Sequence, residues 1–484
     1  MNRVFTQTAQ RIREQWFFAM LAGLCVLGTV VGLLFGNLPW FLTVSAGGAV
    51  ALSVLILRSP FLGVLFITFF LPFERIGTLE TSAGTIRLTQ VLLAIVLVML
   101  WLSWARERTR FQPYPLLAPL CAFLAANVLG LLQSPNRSYS TEILLLTAFT
   151  ILISVCVAQL VTNKQRLITL VHVLLLSALV VSSFGIFQFF GDLADLPTSV
   201  TGLRDLYTKD VFGFPRIQST ALEPLYFANY LLLPLSIAYA LFVHKWKQLP
   251  TWLLFGLLVL FGGNLLLTVS RGGYAGMAMS LVVITLLSLR QFLRVRILVP
   301  VIIGIVIILV GTQKFLNFGD LTRLNVETFT QHIVAVFSGP SFQERVETIE
   351  QARSAFWQSP WVGLGPGSFG PFVAIHPLIK PDSGWLIVNN EPMELLAETG
   401  LLGFISIVAM IILLIIRSFR AEHIPRAQST FVRAVHLGLL GAFFGVLAQY
   451  QTFSVLYIMH VWFLVGLLIA VQNILLAAKE QSHA

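Results

Sequence analysis

Runs of about twenty apolar residues recur along the whole chain and are separated by short polar segments. A helix that crosses a bilayer needs about 20 apolar residues. The pattern therefore predicts an all-α integral membrane protein, a single polytopic domain over residues 1–484 with about 14 (12–14) transmembrane helices. These are predicted at residues 16–35, 39–57, 60–72, 87–105, 115–132, 142–162, 167–190, 224–243, 251–269, 272–289, 297–313, 392–416, 431–450 and 454–477. The run at 60–72 is short, and without it and 39–57 the count is about twelve.

The distribution of Lys and Arg predicts the orientation of the chain. With both termini on one side, that side collects 19 of the 31 basic residues and only four of the 21 acidic ones. Because cytoplasmic loops are rich in Lys and Arg, both termini are predicted to be cytoplasmic. Two longer polar segments, 191–223 and 314–391, then lie outside. The net charge of +10 is explained by this topology and does not indicate a nucleic-acid partner.

Composition supports the membrane assignment and excludes several kinds of enzyme. Hydrophobic residues make up 57% of the chain and charged residues 11%, against about 25% charged in soluble domains. The three cysteines lie inside apolar runs, and the chain has no phosphate-binding loop, dinucleotide fingerprint or Cys/His metal spacing. We therefore expect no cofactor and no metal site.

The outer segment 314–391 is long enough to have structure of its own. Within it, SFQERVETIEQARSAFWQ has apolar residues near helical spacing, and Pro360 follows. This pattern predicts an amphipathic helix that lies on the outer membrane surface or over a cavity. The next stretch, GLGPGSFGPF at 363–372, is typical of turns.

Three arginines on the outer side are candidates for anion binding. The apolar stretch 251–289 is too long for one transmembrane helix and must turn at Arg271-Gly272-Gly273. Arg271 is then either a snorkelling anchor or a fixed cation suited to phosphate oxygens. Arg216 lies beside an apolar-leaning stretch, whereas Arg345 lies on the amphipathic helix and could simply pair with neighbouring glutamates.

A group of polar residues precedes the helix predicted at 392–416. The segment GWLIVNNEPMELLAETGLLGF contains Asn389, Asn390 and three carboxylates, Glu391, Glu394 and Glu398. At spacings of three and seven residues the carboxylates share one arc of a helix. Acidic residues at a helix start also suit the helix dipole, but Glu398 is about two turns in and should face a polar cavity. His376 is the nearest histidine, although a lone loop histidine is often a surface residue.

Together, the SRGG turn, Arg345 followed by WQSPWVGLGPGSFGPF, and NNEPMELLAETGLLGF resemble the O-antigen ligase and O-antigen polymerase family of bacterial membrane proteins. The resemblance covers roughly residues 180–480. It implies metal-independent transfer of a saccharide from polyprenyl (undecaprenyl) diphosphate to a hydroxyl of a glycan or glycolipid, at the outer face of the bacterial inner membrane. It assigns diphosphate binding to Arg216, Arg271 and Arg345. Acceptor binding is expected at Asn390, Glu394, Glu398 and His376.

One position departs from the family pattern. The family motif begins with His-Asn, but the histidine position is Asn389 here, and an amide cannot act as a general base. Either Asn389 orients the acceptor while the diphosphate takes the proton, or Glu391 is the base after burial raises its pKa. We favour Glu391. The alternative function is a transporter or flippase of lipid-linked oligosaccharide, which would place ionisable residues along a mid-membrane path; the sequence does not separate polymerase from ligase.

Overall fold

The computed structural model describes residues 59–75, 78–81, 84–107, 111–246, 248–289, 340–381, 384–422 and 430–483. The helices predicted at 16–35, 39–57 and 297–313 lie outside these residues. The helices and strands, numbered in chain order, are as follows: α1 Pro60–Phe70, β1 Thr78–Thr81, β2 Gly84–Arg87, α2 Leu88–Glu107, α3 Leu117–Gly130, α4 Arg137–Leu160, α5 Lys164–Leu193, α6 Thr198–Thr201, α7 Lys209–Phe212, α8 Pro224–Val243, α9 Thr251–Leu267, α10 Arg271–Leu287, α11 Pro340–Gln358, α12 Phe369–Val373, α13 Glu391–Glu422, α14 Thr430–Gln449 and α15 Met459–His483. Two 3₁₀ turns, Leu131–Gln133 and Asp205–Tyr207, complete the set.

The described residues form a mostly helical multi-pass membrane protein. Seven of their helices, namely α2, α4, α5, α8, α13, α14 and α15, are long and apolar enough to cross a bilayer. Four shorter apolar helices are α1, α3 with its 3₁₀ turn, α9 and α10. The predicted count of fourteen is not confirmed.

Two local features separate the structure from the simple pattern of apolar runs. Strands β1 and β2 form an antiparallel hairpin that pairs Thr78 with Arg87 and Thr81 with Gly84. Its β-branched residues Thr78, Thr81, Thr85 and Ile86 favour extended backbone. The apolar stretch 251–289 does turn where predicted, because α9 ends at Leu267 and α10 begins at Arg271.

The chain divides into two compact units, residues 1–67 with 91–110, and residues 68–90 with 111–484. Every candidate site residue belongs to the second unit. Within that unit α8 is the central helix, with 94% of its apolar window buried. It packs against α9, α10 and α14, while α13 packs against α3 and α11. A helix that is hydrophobic on all sides belongs in such a position.

A close crossing of α10 and α14 brings the start of one helix beside the end of the other. An added Cβ at Gly276 would lie 2.8 Å from the carbonyl oxygen of Gly445, and one at Gly445 would lie 2.7 Å from that of Gly276. Small residues allow this approach of two helix backbones. Arg271 at the start of α10 is thereby held near the turn that follows α14 at Gln449.

Helix α13 is broken at Gly400, where φ is 60° and ψ is −166°. The broken turn pairs with the loop of residues 359–368, which we call the Gly-rich loop. Leu364 and Gly365 donate their N–H groups to the carbonyls of Ala397 and Glu398 at 3.0 and 2.8 Å. In return, the N–H groups of Leu401 and Leu402 bond to the carbonyls of Pro360 and Trp361 at 2.8 and 3.1 Å. The loop therefore satisfies the backbone groups that the break exposes.

Candidate functional site

The turn between α9 and α10 is strained and presents Arg271 as the first residue of a helix. Val269 has a φ of 51°, a rare conformation for a β-branched residue that is typical of functional sites. Ser270 caps α10, since its side chain accepts the N–H of Gly273 at 3.2 Å. The free N–H groups of a helix start favour anions, so the turn combines a guanidinium with a positive helix end.

Arg216 is hydrogen-bonded to the backbone of this turn. Its Nε donates to the carbonyl of Thr268 at 3.4 Å, and its guanidinium lies 5.6 Å from the ring centre of Tyr207. Burial lowers the pKa of Arg216, and the positive charge of Arg271 lowers it further. Tyr207, Tyr274 and Glu223 act in the opposite direction and raise the pKa of Arg216. Arg216 and Arg271 are therefore neighbouring cations.

Arg345 reaches the same place from α11. Burial lowers its pKa, and the charge of Arg271 lowers it further. One turn along the helix, the Thr348 hydroxyl donates to the carbonyl of Val388 at 3.1 Å, which places Arg345 near Asn389. The surface pairing considered for Arg345 occurs instead at Arg353, which binds Glu350. The three predicted arginines thus form one cluster, the arginine cluster.

The turn at residues 449–452 connects this cluster to the predicted acidic residues. A Cβ at Gly272 would lie 2.1 Å from the Thr452 hydroxyl, so the start of α10 rests on this turn. From the other direction, the Asn390 amide donates to the carbonyl of Gln451 at 3.1 Å, and the N–H of Glu391 donates to the carbonyl of Tyr450 at 2.9 Å. The start of α13 and the start of α10 therefore share one support.

Asn389 has a conformation that restricts which residues fit. Its φ is 57°, in the left-handed region where Asn, Asp and His are enriched. Its N–H donates to the Ser454 hydroxyl at 3.0 Å. The residue is partly exposed, so its amide can bond to a ligand. The backbone at this position therefore tolerates Asn as well as the His that the family resemblance leads us to expect.

Glu391 has a carboxyl group that is only half satisfied. The residue is 6% exposed; its carboxyl accepts the backbone N–H of Val455, whereas Oε2 is buried without a hydrogen-bond partner. A buried polar atom without a partner in the protein is unusual, and it leaves Oε2 able to bond to a water molecule, a ligand or a transferred proton. Glu391 is thus the predicted site residue with the clearest unmet bonding capacity among the described residues.

Glu394 and Glu398 have oxygens that bind the protein itself. Glu394 Oε2 accepts the N–H of Val388 at 2.8 Å and the hydroxyl of Ser454 at 2.5 Å. Glu398 accepts the N–H of Gly367 at 2.8 Å and that of Phe369 at 3.1 Å. Both residues line the cavity beside Glu391, and their hydrogen bonds anchor the loops that form it. Their acceptor-binding role stays a prediction.

Replacing Glu398 with alanine should destabilise the protein by about 2–6 kcal/mol. The change leaves the N–H groups of Gly367 and Phe369 without their carboxyl acceptor, and each unsatisfied group costs about 1–3 kcal/mol. Thermal unfolding in detergent measures the effect. Glu350→Ala is the matched control, because its surface ion pair with Arg353 is worth little. Equal unfolding midpoints in the two variants would contradict the anchoring role.

The three carboxyl groups surround a small cavity of about 60 Å³. Its other walls include Tyr139, Trp385 and Tyr457, and the rings of Tyr139 and Trp385 lie 5.9 Å apart. Burial raises the pKa of Tyr457 to about 12, with contributions from Glu394 and Glu398. Aromatic faces beside carboxyl groups suit a polyhydroxylated ligand. Sequence reasoning missed Tyr139 and Trp385 because nothing in their local sequence distinguishes them from interface anchors.

Arg87 is a further cation that sequence reasoning missed. It ends β2, and its Nε is buried without a hydrogen-bond partner. Its charge acts on Tyr457 at the cavity, and also on Tyr226 and Glu74. Arg87 therefore lies near Tyr457 and the cavity lined by the three carboxyl groups. The β1–β2 hairpin determines this position, because Arg87 is its last residue.

His376 is not brought to the cluster. It is exposed in the loop that follows α12, and the neighbouring carbonyl of Pro377 accepts from Asn136 at 2.9 Å. It lines neither of the two cavities formed by α13, so its acceptor role stays a prediction. In the described ranges, no group of three or more His, Cys, Asp or Glu side chains is arranged to hold a metal ion.

The fold and site define a multi-pass membrane protein. In it, the arginine cluster at the start of α10 and the buried carboxyl group of Glu391 lie on opposite sides of one connection, because the starts of α10 and α13 both contact the turn at residues 449–452. Residues 255–408 match the family model Wzy_C, described as O-antigen ligase. The match covers 154 of the 484 residues and agrees with the family resemblance of the sequence motifs. The matched residues include Arg271, Arg345, Asn389 and Glu391, and the match ends at residue 408, within α13. No curated protein matched the chain.

Proposed function

We propose that the protein transfers a saccharide from polyprenyl diphosphate to a hydroxyl of a glycan or glycolipid, at the outer face of the bacterial cytoplasmic membrane. It would be a metal-independent polymerase or ligase of O-antigen or a related polysaccharide. The proposal is carried by one observation: the arginine cluster and Glu391, with its unpartnered Oε2, are connected through the turn at residues 449–452.

The arginine cluster is suited to a diphosphate. Guanidinium groups bind phosphate oxygens through fixed, paired donors, and the N–H groups at the start of α10 add a second anion site. As the anomeric carbon loses its bond to the diphosphate, the departing oxygen takes the electron pair and becomes more negative. Arg216, Arg271 and Arg345 would stabilise this developing charge.

Glu391 is suited to the acceptor side. In the proposed reaction the acceptor oxygen attacks the anomeric carbon, a new C–O bond forms, and the hydroxyl proton passes to Glu391 Oε2. Asn389 orients the acceptor through its amide, and the aromatic cavity beside Glu391 holds the sugar ring. The leaving diphosphate is a second possible proton acceptor, so Glu391 supplies part of the rate enhancement.

Glu391→Gln should lower the transfer rate by about 10²-fold, in the range for loss of a general base, with little change in donor affinity. The assay measures glycosidic product formed by purified protein in proteoliposomes that contain a lipid-linked saccharide. Glu350→Gln, the same change at an exposed position, is the control. Asn389→Ala should raise the acceptor KM more than it lowers kcat. An unchanged rate for Glu391→Gln removes Glu391 as the base.

A further inference from the structure

A second cavity extends from Glu391 into the apolar part of the protein. Its volume is about 310 Å³, and it lies among α13, α14 and α15. The walls are nearly all aliphatic or aromatic and include Phe404, Ile411, Val446 and Leu464. Along α13 the lining reaches from Glu391 to Leu414 and crosses the break at Gly400. A continuous helix of that length would extend about 35 Å at 1.5 Å per residue, which is comparable with the hydrocarbon thickness of a bilayer.

An apolar cavity of this size favours an apolar occupant over water. Unfilled volume destabilises a protein in proportion to its size, and an apolar cavity of about 150 Å³ already stays dry and binds small hydrocarbons. This cavity has about twice that volume and lies among helices that are long and apolar enough to cross a membrane, where the molecules available to fill it are lipids. A hydrocarbon chain is therefore the molecule that fits its shape and its lining.

The polar end of the cavity shows which lipid fits. Tyr450 donates its hydroxyl to Val455 and Trp462 donates its ring N–H to Leu456, whereas Glu391 Oε2 has no partner. Among the lining residues, all from the described part of the chain, none is Arg, Lys or His. A diphosphate headgroup would find no cation among these lining residues. A hydroxyl group would find an open acceptor.

We propose that this cavity holds the hydrocarbon chain of the acceptor, and that the acceptor is a lipid with a free hydroxyl close to its chain. The hydroxyl lies at Glu391, and the chain extends along α13. The inference rests on the proposed function, in which Glu391 faces the acceptor. It adds that the acceptor enters from the bilayer and that the donor's polyprenyl chain lies elsewhere.

Photolabelling tests this assignment without requiring catalysis. The probes are an alkyl glycoside and a prenyl diphosphate, each with a diazirine in its chain. The glycoside should label α13 and α14 in the wild type. Ile407→Trp, which fills the cavity, should lower that labelling about tenfold or more. Ile405→Trp is the control, because Ile405 is 58% exposed on the same helix. Val408→Phe is a second, milder filling variant.

Each outcome decides the assignment. If the prenyl diphosphate labels the wild type and Ile407→Trp abolishes that labelling, the cavity binds the donor's chain and the inference is overturned. Equal glycoside labelling in Ile407→Trp, Val408→Phe and wild type would also overturn it. Failure of the proposed function would look different, since the wild type would then bind and label with the glycoside yet form no glycosidic product.

Discussion

Arg271→Ala is expected to lower glycosyl transfer by about 10³-fold, the upper range for loss of one donor to a developing negative charge. Arg271 is the first residue of α10, and its charge reaches both Arg216 and Arg345. Removing it takes away the central cation of the cluster and leaves Arg216, Arg345 and the N–H groups at the start of α10 to stabilise the leaving group. The measurement is product formation in proteoliposomes at saturating lipid-linked saccharide.

Arg353→Ala is the control for this prediction. Arg353 lies on α11, two turns beyond Arg345, and its guanidinium is 60% exposed beside Glu350. The variant should keep the wild-type rate, because it removes a cation outside the arginine cluster. Arg271→Lys should recover part of the activity, since it restores the charge without the paired donors of a guanidinium. Full activity in Arg271→Ala, with normal expression, would contradict the diphosphate-binding role.

Gly400→Ala is expected to destabilise the protein by about 3–5 kcal/mol, from backbone strain together with overpacking. Its φ of 60° and ψ of −166° belong to a region that only glycine occupies readily. A Cβ at this position would also lie 2.5 Å from the backbone carbon of Trp361 and 2.6 Å from the nitrogen of Gly363. The Gly-rich loop would have to leave α13, which would expose the broken backbone.

Two glycine variants separate the causes of this effect. Gly384 has a φ of 85° but open space around it, so Gly384→Ala reports strain alone, at about 1 kcal/mol. Gly256 lies in α9 with open space around it, and Gly256→Ala should be neutral or slightly stabilising. Thermal unfolding in detergent measures all three variants. A Gly400→Ala protein as stable as Gly384→Ala would show that the Gly-rich loop does not pack as described.

The helices and the arginine cluster are largely predictable from the sequence. Apolar runs of membrane length define most described helices, and the excess length of 251–289 requires a turn at Arg271. The clustering of Arg216, Arg271 and Arg345 agrees with their predicted placement on one side of the membrane. These predictions depend on length, hydropathy and charge, which are local properties of the chain.

The remaining features depend on contacts between distant segments. The break at Gly400 lies within an apolar run that reads as continuous helix, and it exists because the Gly-rich loop, about forty residues earlier, supplies matching backbone groups. The same pairing explains why Gly363 and Gly400 occur in one chain. The positions of Tyr207 beneath Arg216 and of Arg87 beside Tyr457 likewise have no signal in their local sequence.

The left-handed backbone at Asn389 changes how the missing histidine is understood. Sequence comparison alone treats Asn389 as the loss of a base. In the structure its φ of 57° selects residue types that tolerate this conformation, while Glu391, two residues later, has the open oxygen. The proposed division of roles between Asn389 and Glu391 therefore follows from backbone geometry and hydrogen bonding together.

The most direct test of the central claim is to follow both products of the reaction at once. Purified protein in proteoliposomes is given a polyprenyl-diphosphate-linked saccharide and an acceptor glycolipid, without added metal. The account predicts one released polyprenyl diphosphate for each new glycosidic bond, and loss of both products in Arg271→Ala. Movement of intact lipid-linked saccharide across the bilayer, with neither product formed, would contradict it and indicate a flippase.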